Sequence, residues 1–266
     1  MNLPGLGSAI GSQFLDARQS AHGIAGGLPG SAISIARVVK TDIKARIDSG
    51  KALPDRLKAV DGELEWLVCK HVRSPILAGD VWYHSWQGGG GYGDPLLRDP
   101  DSVATDVARG AVSREVCINV YGVAMAPDGK ADHDATKIKR EQIRADRKLS
   151  AKKPAVNGLN WSYKGTGRVE IANALVIDAR DKSVSCGNCG HRHCGTDENL
   201  LDHLGLIETH ASSAGPVRGE SYDRGRFKLR HLICQNCGGL TDVQVGLDGA
   251  PYSFAMPELD VTEDRQ

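Results

Sequence analysis

Residues 186–191 read Cys-Gly-Asn-Cys-Gly-His and residues 234–239 read Cys-Gln-Asn-Cys-Gly-Gly, two copies of the form Cys-x-x-Cys-Gly. Two thiolates separated by two residues, on a tight turn that the following glycine permits, reach one ion from the same side. The second turn completes a tetrahedral shell. Zinc suits four thiolates because it needs no redox partner and imposes little geometry of its own. Cys186, Cys189, Cys234 and Cys237 are therefore the expected ligands of a structural zinc. Thiols without an ion would leave this segment, poor in large apolar residues, with little to fold around. FKLRHLI (227–233) alternates into the second knuckle and LTDVQV (240–245) leaves it, which predicts the strand–knuckle–strand hairpin of a zinc ribbon. His191, His193 and Cys194 crowd the first knuckle, so one of them could replace a cysteine or the group could hold a second ion. A shell closed by four thiolates has no open position for water, so a catalytic zinc would require a displaced ligand; iron in a rubredoxin-like site uses the same spacing.

Outside the knuckles, Cys69 (in WLVCK) and Cys117 (in REVCINV) stand alone in apolar surroundings and are expected to be inert buried thiols. The opening MNLPGLGSAIGSQ lacks a basic segment followed by an apolar one, and no apolar run reaches the roughly 18 residues of a spanning helix. The expected address is the cytoplasm, where a paired-knuckle pattern favours metal over disulfides. With 25% charged and 40% hydrophobic residues, the composition is that of a globular protein. Thirty-three basic residues balance thirty-three acidic ones, which removes the global positive field of many nucleic-acid binders but leaves a local patch possible. Thirty-two glycines beside three Phe, four Trp and six Tyr point to a loop-rich chain with a modest core.

The 266 residues suffice for one ordinary domain or two small ones. Apolar residues recur over 31–39, 63–72 and 81–86, predicting three strands, and Asp99-Pro100-Asp101 opens a helix that Gly110 stops. Ser113 caps a second short helix, closed by Gly122. Residues 132–153 carry eight Lys and Arg with few apolar residues and predict a solvated helix running into a linker; its charge could touch RNA or an acidic partner, though such runs are usually a wet face. The expected fold is α+β: a small β-rich domain with short helices (1–150), a linker (151–167) and a zinc-ribbon domain (168–266).

QGGGGYGDP (87–95) lacks the Gly-Lys-Ser/Thr end of a phosphate loop and the helix that should follow Gly-x-Gly-x-x-Gly. Such a run either makes a tight turn or lets the backbone approach another surface closely. Its surroundings are more specific. AGDVWYHSWQGGGGYGDPLLRDPDSVATDVARGAVSREVCINVYGV (78–123) resembles the C-terminal end of the hydantoinase B/oxoprolinase family, with its Ala-Gly-Asp strand, glycine turn, Arg-Asp-Pro helix start and Tyr-Gly-Val close. HGIAGGLPG (22–30) is similar to that family's upstream Gly-Gly-x-Pro-Gly turn, and DHDATKIKREQIRADRK (132–148) to its terminal Asp-x-x-Ala-Thr and basic helix. The resemblance spans residues 20–148, and a full family member has several hundred further residues upstream. RHLICQNCGGLTDVQV (230–245) is similar to the zinc-containing small subunit of acetone carboxylases.

A tail of the hydantoinase B type joined to a zinc ribbon points to the multisubunit ATP-dependent carboxylases, with the acetophenone carboxylase type nearest. The resemblance implies an accessory subunit, inactive alone. It would complete the B-like subunit beside larger hydantoinase A-like and B-like subunits, which would carry ATP with or without a divalent metal. It supplies no catalytic residue here, because the shared motif is a turn. A subunit of an ATP-dependent hydantoinase or lactamase is the alternative within enzymes. A nucleic-acid-binding zinc-ribbon protein is the alternative outside them, disfavoured by zero net charge and few aromatics in the ribbon.

Overall fold

The computed structural model describes residues 9–10, 21–31, 34–67, 74–75, 77–86, 88–154, 167–171, 174–210 and 226–250. The architecture is α+β, with short helices and several small antiparallel sheets.

In the first half, β1 (Ala9–Ile10) leads to β2 (Ser34–Val39), then to α1 (Ile43–Asp48), β3 (Glu63–Leu67), β4 (Ser74–Pro75) and β5 (Val81–Ser85). β2 is the centre of a three-stranded sheet between β3 and β5, and buries Ile35, Ala36 and Val38. All three strands expected from hydrophobic patterning are present; residues 68–72 of the second, and Cys69 with them, lie outside the described residues.

Two capped helices follow as their sequence signals require. Asp99 accepts from Ser102 N at 2.8 Å at the head of α2 (Pro100–Ala108), and Ser113 accepts from Val116 N at 3.2 Å at the head of α3 (Arg114–Asn119). α3 packs through Cys117 rather than Val116, which is exposed. The Cys117 thiol sits in the cluster of Val103 and Val123, and burial raises its pKa as expected of an inert thiol. The hairpin of β6 (Ala124–Met125) and β7 (Ala131–Asp132) delivers Asp132 to the N-cap of α4 (His133–Ser150).

α4 is largely solvated, as its composition predicts, with Thr136 its one buried residue and Ile138 and Leu149 exposed, yet one side of it is docked. Arg140 donates to the Tyr121 carbonyl at 3.1 Å and the Arg98 carbonyl at 2.6 Å, Arg147 to the Gly238 carbonyl at 3.2 Å, and Lys148 to the Asn236 carbonyl at 3.2 Å. The helix is docked by cations on backbone carbonyls instead of by an apolar stripe, so hydropathy does not register the contact.

In the second half, β8 (Arg168–Ile171), β9 (Leu175–Asp178), β10 (Ser183–Cys186) and β11 (Arg192–Gly195) form one meander. β12 (Leu204–His210), β13 (Phe227–Cys234) and β14 (Leu240–Leu247) form a second sheet with β13 central. Leu175, Ile177 and Val184 of the first sheet pack on Leu204, Leu206 and Leu232 of the second. The strands expected on either side of the second knuckle are β13 and β14, and the first knuckle leaves the end of β10.

Candidate metal centre

Both knuckles are built by the same four-residue device. Gly190 N donates to Cys186 O at 2.9 Å and Cys186 N to His191 O at 2.8 Å; in the second knuckle Gly238 N donates to Cys234 O at 2.8 Å and Cys234 N to Gly239 O at 2.9 Å. The turn ends in the left-handed region, with φ of 72° at Gly190 and 70° at Gly238, which is why glycine follows each Cys-x-x-Cys.

The sulfurs of Cys186, Cys189, Cys234 and Cys237 all lie within 4.8 Å of one another. Cys186 Sγ is 3.8 Å from Cys237 Sγ, and Cys189 Sγ is 3.9 Å from Cys234 Sγ. A tetrahedron of metal–sulfur bonds near 2.3 Å has edges of about 3.8 Å, so the four cysteines can hold a metal ion of zinc's size. Each knuckle also supports the other's sulfur. Asn188 Nδ2 donates to Cys237 Sγ at 3.5 Å, and Asn236 Nδ2 points at Cys189 Sγ at 3.6 Å. Gly239 N adds a third donor, 3.4 Å from Cys237 Sγ. The thiol protons held by Cys186 and Cys234 against Cys237 keep Cys237 well below the usual thiol range, while Cys234, pressed against Cys186 and Cys237, is pushed up. Four packed sulfurs cannot all carry charge unaided, and a divalent cation removes that conflict.

The neighbours of the first knuckle lie apart from this group. Among the described residues the four cysteines are the metal-competent cluster, without His191, His193 or Cys194. Cys194 belongs to the core under β9 and β10, and its thiol is pushed up to about 12, first by burial and then by the Glu198 charge. His193 is buried with His191 edge-on at 5.6 Å, and burial pushes its pKa down to about 4. Asn188 and Asn236 escaped sequence reasoning, although their repetition at the same place in both knuckles was a usable signal.

The glycine run is tied to this centre. It approaches the chain's own residues 21–31: Ile24 N donates to Gly91 O at 2.8 Å, Gly91 N to Leu28 O at 2.8 Å, Gly93 N to Ile24 O at 2.9 Å and Gly88 N to Ser31 O at 3.1 Å. A Cβ on Gly27 would overlap Gly91 O, and one on Gly30 would overlap Gly88 O, so glycine faces glycine because two backbones touch without side chains between them. Asp94, directly after the run, is buried and joins three elements. Its carboxylate accepts from Leu96 N (3.1 Å), from Arg147 of α4 (2.8 Å) and from Leu240 N beside the second knuckle (2.9 Å). On the outer side, Ile24 and Tyr92 form a parallel bridge and are 63% and 75% exposed.

Fold and site together define a small α+β protein whose four clustered cysteines could hold a metal ion. Its sequence is similar to the acetone carboxylase alpha subunit of Xanthobacter autotrophicus, 40% identical over 72 residues, which is 26% of this chain and 9% of that protein. It is also similar to the acetophenone carboxylase delta subunit of Aromatoleum aromaticum, 35% identical over 81 residues, 30% of this chain and 12% of that protein. The chain thus spans only about a tenth of the length of these curated relatives. A solved structure of nucleotide-free acetone carboxylase, described as addressing the mechanism of ATP-dependent acetone carboxylation, aligns with 50% of this chain and 19% of its own at 30% identity and a TM-score of 0.42. No protein-family model matches the sequence.

Proposed function

We propose that this chain is an accessory subunit of a multisubunit ATP-dependent carboxylase of the acetone or acetophenone carboxylase type. It completes a hydantoinase B-like subunit and adds a structural zinc module, with larger hydantoinase A-like and B-like subunits as partners that bring ATP. The observation carrying this reading is local similarity to subunits of two such carboxylases, at 40% and 35% identity, in a chain covering 9% and 12% of their length. Zinc held by Cys186, Cys189, Cys234 and Cys237 supplies a cross-link between sheets and no chemistry, since four thiolates leave no site for water. We retain the division into 1–150, a linker at 151–167 and 168–266 for this role. The inward arginines of α4 reduce the support for a nucleic-acid reading.

The exposed Ile24–Tyr92 pair, on the hydrogen-bonded backbones of residues 21–31 and 88–93, is the face we assign to the partner. Co-purification of the tagged chain, with mass spectrometry of retained proteins, should recover two much larger subunits. Metal analysis should return one zinc per chain, and the chain alone should turn over no ATP. Tyr92→Ala should weaken the association by roughly 2 kcal/mol. Retention of nucleic acid in place of the large subunits, or ATP turnover by the isolated chain, would overturn the assignment.

A further inference from the structure

Where α4 ends, the chain runs along the edge of β12: Lys152 N donates to Leu206 O and Leu206 N to Lys152 O, both at 2.8 Å. Beside this bridge lies a cavity of about 420 Å³, lined by Lys148, Lys152 and Lys153, with Gly205 and Ile233 at its wall and one carboxylate, Asp202. Its wall is rigid. A Cβ on Gly205 would come to 2.9 Å from both the Ala151 and Ile233 side chains, so the glycine allows the linker to lie flat on the sheet and leaves the cavity beside it.

The charges are unequal in their duties. Lys148 already donates to the Asn236 carbonyl in the second knuckle, and Arg147 to the Gly238 carbonyl. Four thiolates around a divalent ion would carry a net charge of about −2, which Lys148 adjoins, while Arg147 is already paired with Asp94. Lys152 and Lys153, both exposed at the mouth of the cavity, have no such duty, and among the described residues neither forms an ion pair with Asp202 or any other carboxylate. The volume is that of a small-molecule site, too small for a folded partner. Two ammonium groups match an anion of nearly two charges, the state of a phosphate group near neutral pH, better than a single carboxylate.

We infer that this cavity binds a compact phosphate-class anion, either free or as the phosphate end of a small molecule, through Lys152 and Lys153. The inference rests on cavity and charge and is independent of the proposed carboxylase role. It is tested on the full zinc-loaded chain by calorimetric titration with inorganic phosphate, pyrophosphate and ADP. Amide chemical shifts of Gly205 and Gln235 serve as the local readout. Saturable binding is expected, weakened at least tenfold by Lys152→Ala/Lys153→Ala. It should be retained by Lys152→Arg/Lys153→Arg and by Lys137→Ala/Lys139→Ala, which removes equal charge elsewhere on the protein. Tighter binding of ADP than of phosphate assigns the site to a phosphorylated small molecule, and equal binding assigns it to the free anion. Absence of saturable binding by all three, or equal losses in the two alanine pairs, overturns the inference. Unchanged circular dichroism of each variant keeps loss of fold separate from loss of binding.

Discussion

A side chain on Gly90 would run into the carbonyl oxygen of His22, whereas a Cβ on its neighbour Gly89 meets nothing within 4 Å. Neither has a left-handed φ, so the contrast isolates close backbone approach from conformational freedom. Gly90→Ala should therefore destabilise the protein by about 1–3 kcal/mol, the range for forced overpacking, and Gly89→Ala by less than about 0.5 kcal/mol. Denaturant midpoints of the two variants check this; equal values would mean the two backbones part freely. Glycine composition alone predicts a turn or a close approach; it cannot say that the surface approached is the chain's own residues 21–31. At the cysteine cluster, Asn188→Ala and Asn236→Ala each remove one donor from a sulfur of the opposite knuckle. Each should lower metal affinity about tenfold, measured by competition with a chromogenic chelator.

Between elements, the buried Asp94–Arg147 pair joins the glycine run to α4, with side chains only 2% and 15% exposed. Asp94→Asn leaves the guanidinium without its counter-charge and should cost roughly 3 kcal/mol, with Arg147→Ala costing a similar amount. The double variant should cost less than their sum if the pair is the interaction lost, and a strictly additive cycle would refute that. On β13, His231 is held neutral by burial, with Arg147 adding to the effect, and its pKa falls to about 4. Its folded value lies below the unfolded one near 6.5, so the unfolded chain binds the extra proton first. The stability tied to the neutral ring is complete above about pH 6.5 and drains as pH falls towards 4. His231→Phe should flatten the stability profile in that window by up to about 1.4 kcal/mol per pH unit, read from urea unfolding at stepped pH. Capped helices and the knuckle strands were legible because Asp99, Ser113 and the Cys-x-x-Cys-Gly repeats signal within a few residues. Asp94 was not legible, because its partners Arg147 and Leu240 lie 53 and 146 residues away and nothing in its neighbourhood marks it as buried.

For the whole molecule, the four cysteines link two sheets: Cys186 ends β10 and Cys234 ends β13. The structural zinc proposed for these cysteines would supply about 10–16 kcal/mol, comparable with the entire stability of a typical domain. Chelation should therefore open the second half to protease. It should also raise hydrogen exchange in residues 22–31 and 88–93, because Leu240 stops holding Asp94. Protection of the glycine pair unchanged by chelator would show that the two halves stand independently. The same hydrogen bond also sets an order in time. A ribosome adding roughly 5–20 residues per second makes Asp94 some 7–30 s before Leu240, its partner 146 residues later. For the whole of that interval the glycine pair exists without its Leu240 anchor, and so does α4 once residues 133–150 are made; a nascent chain arrested before the second knuckle can never acquire it.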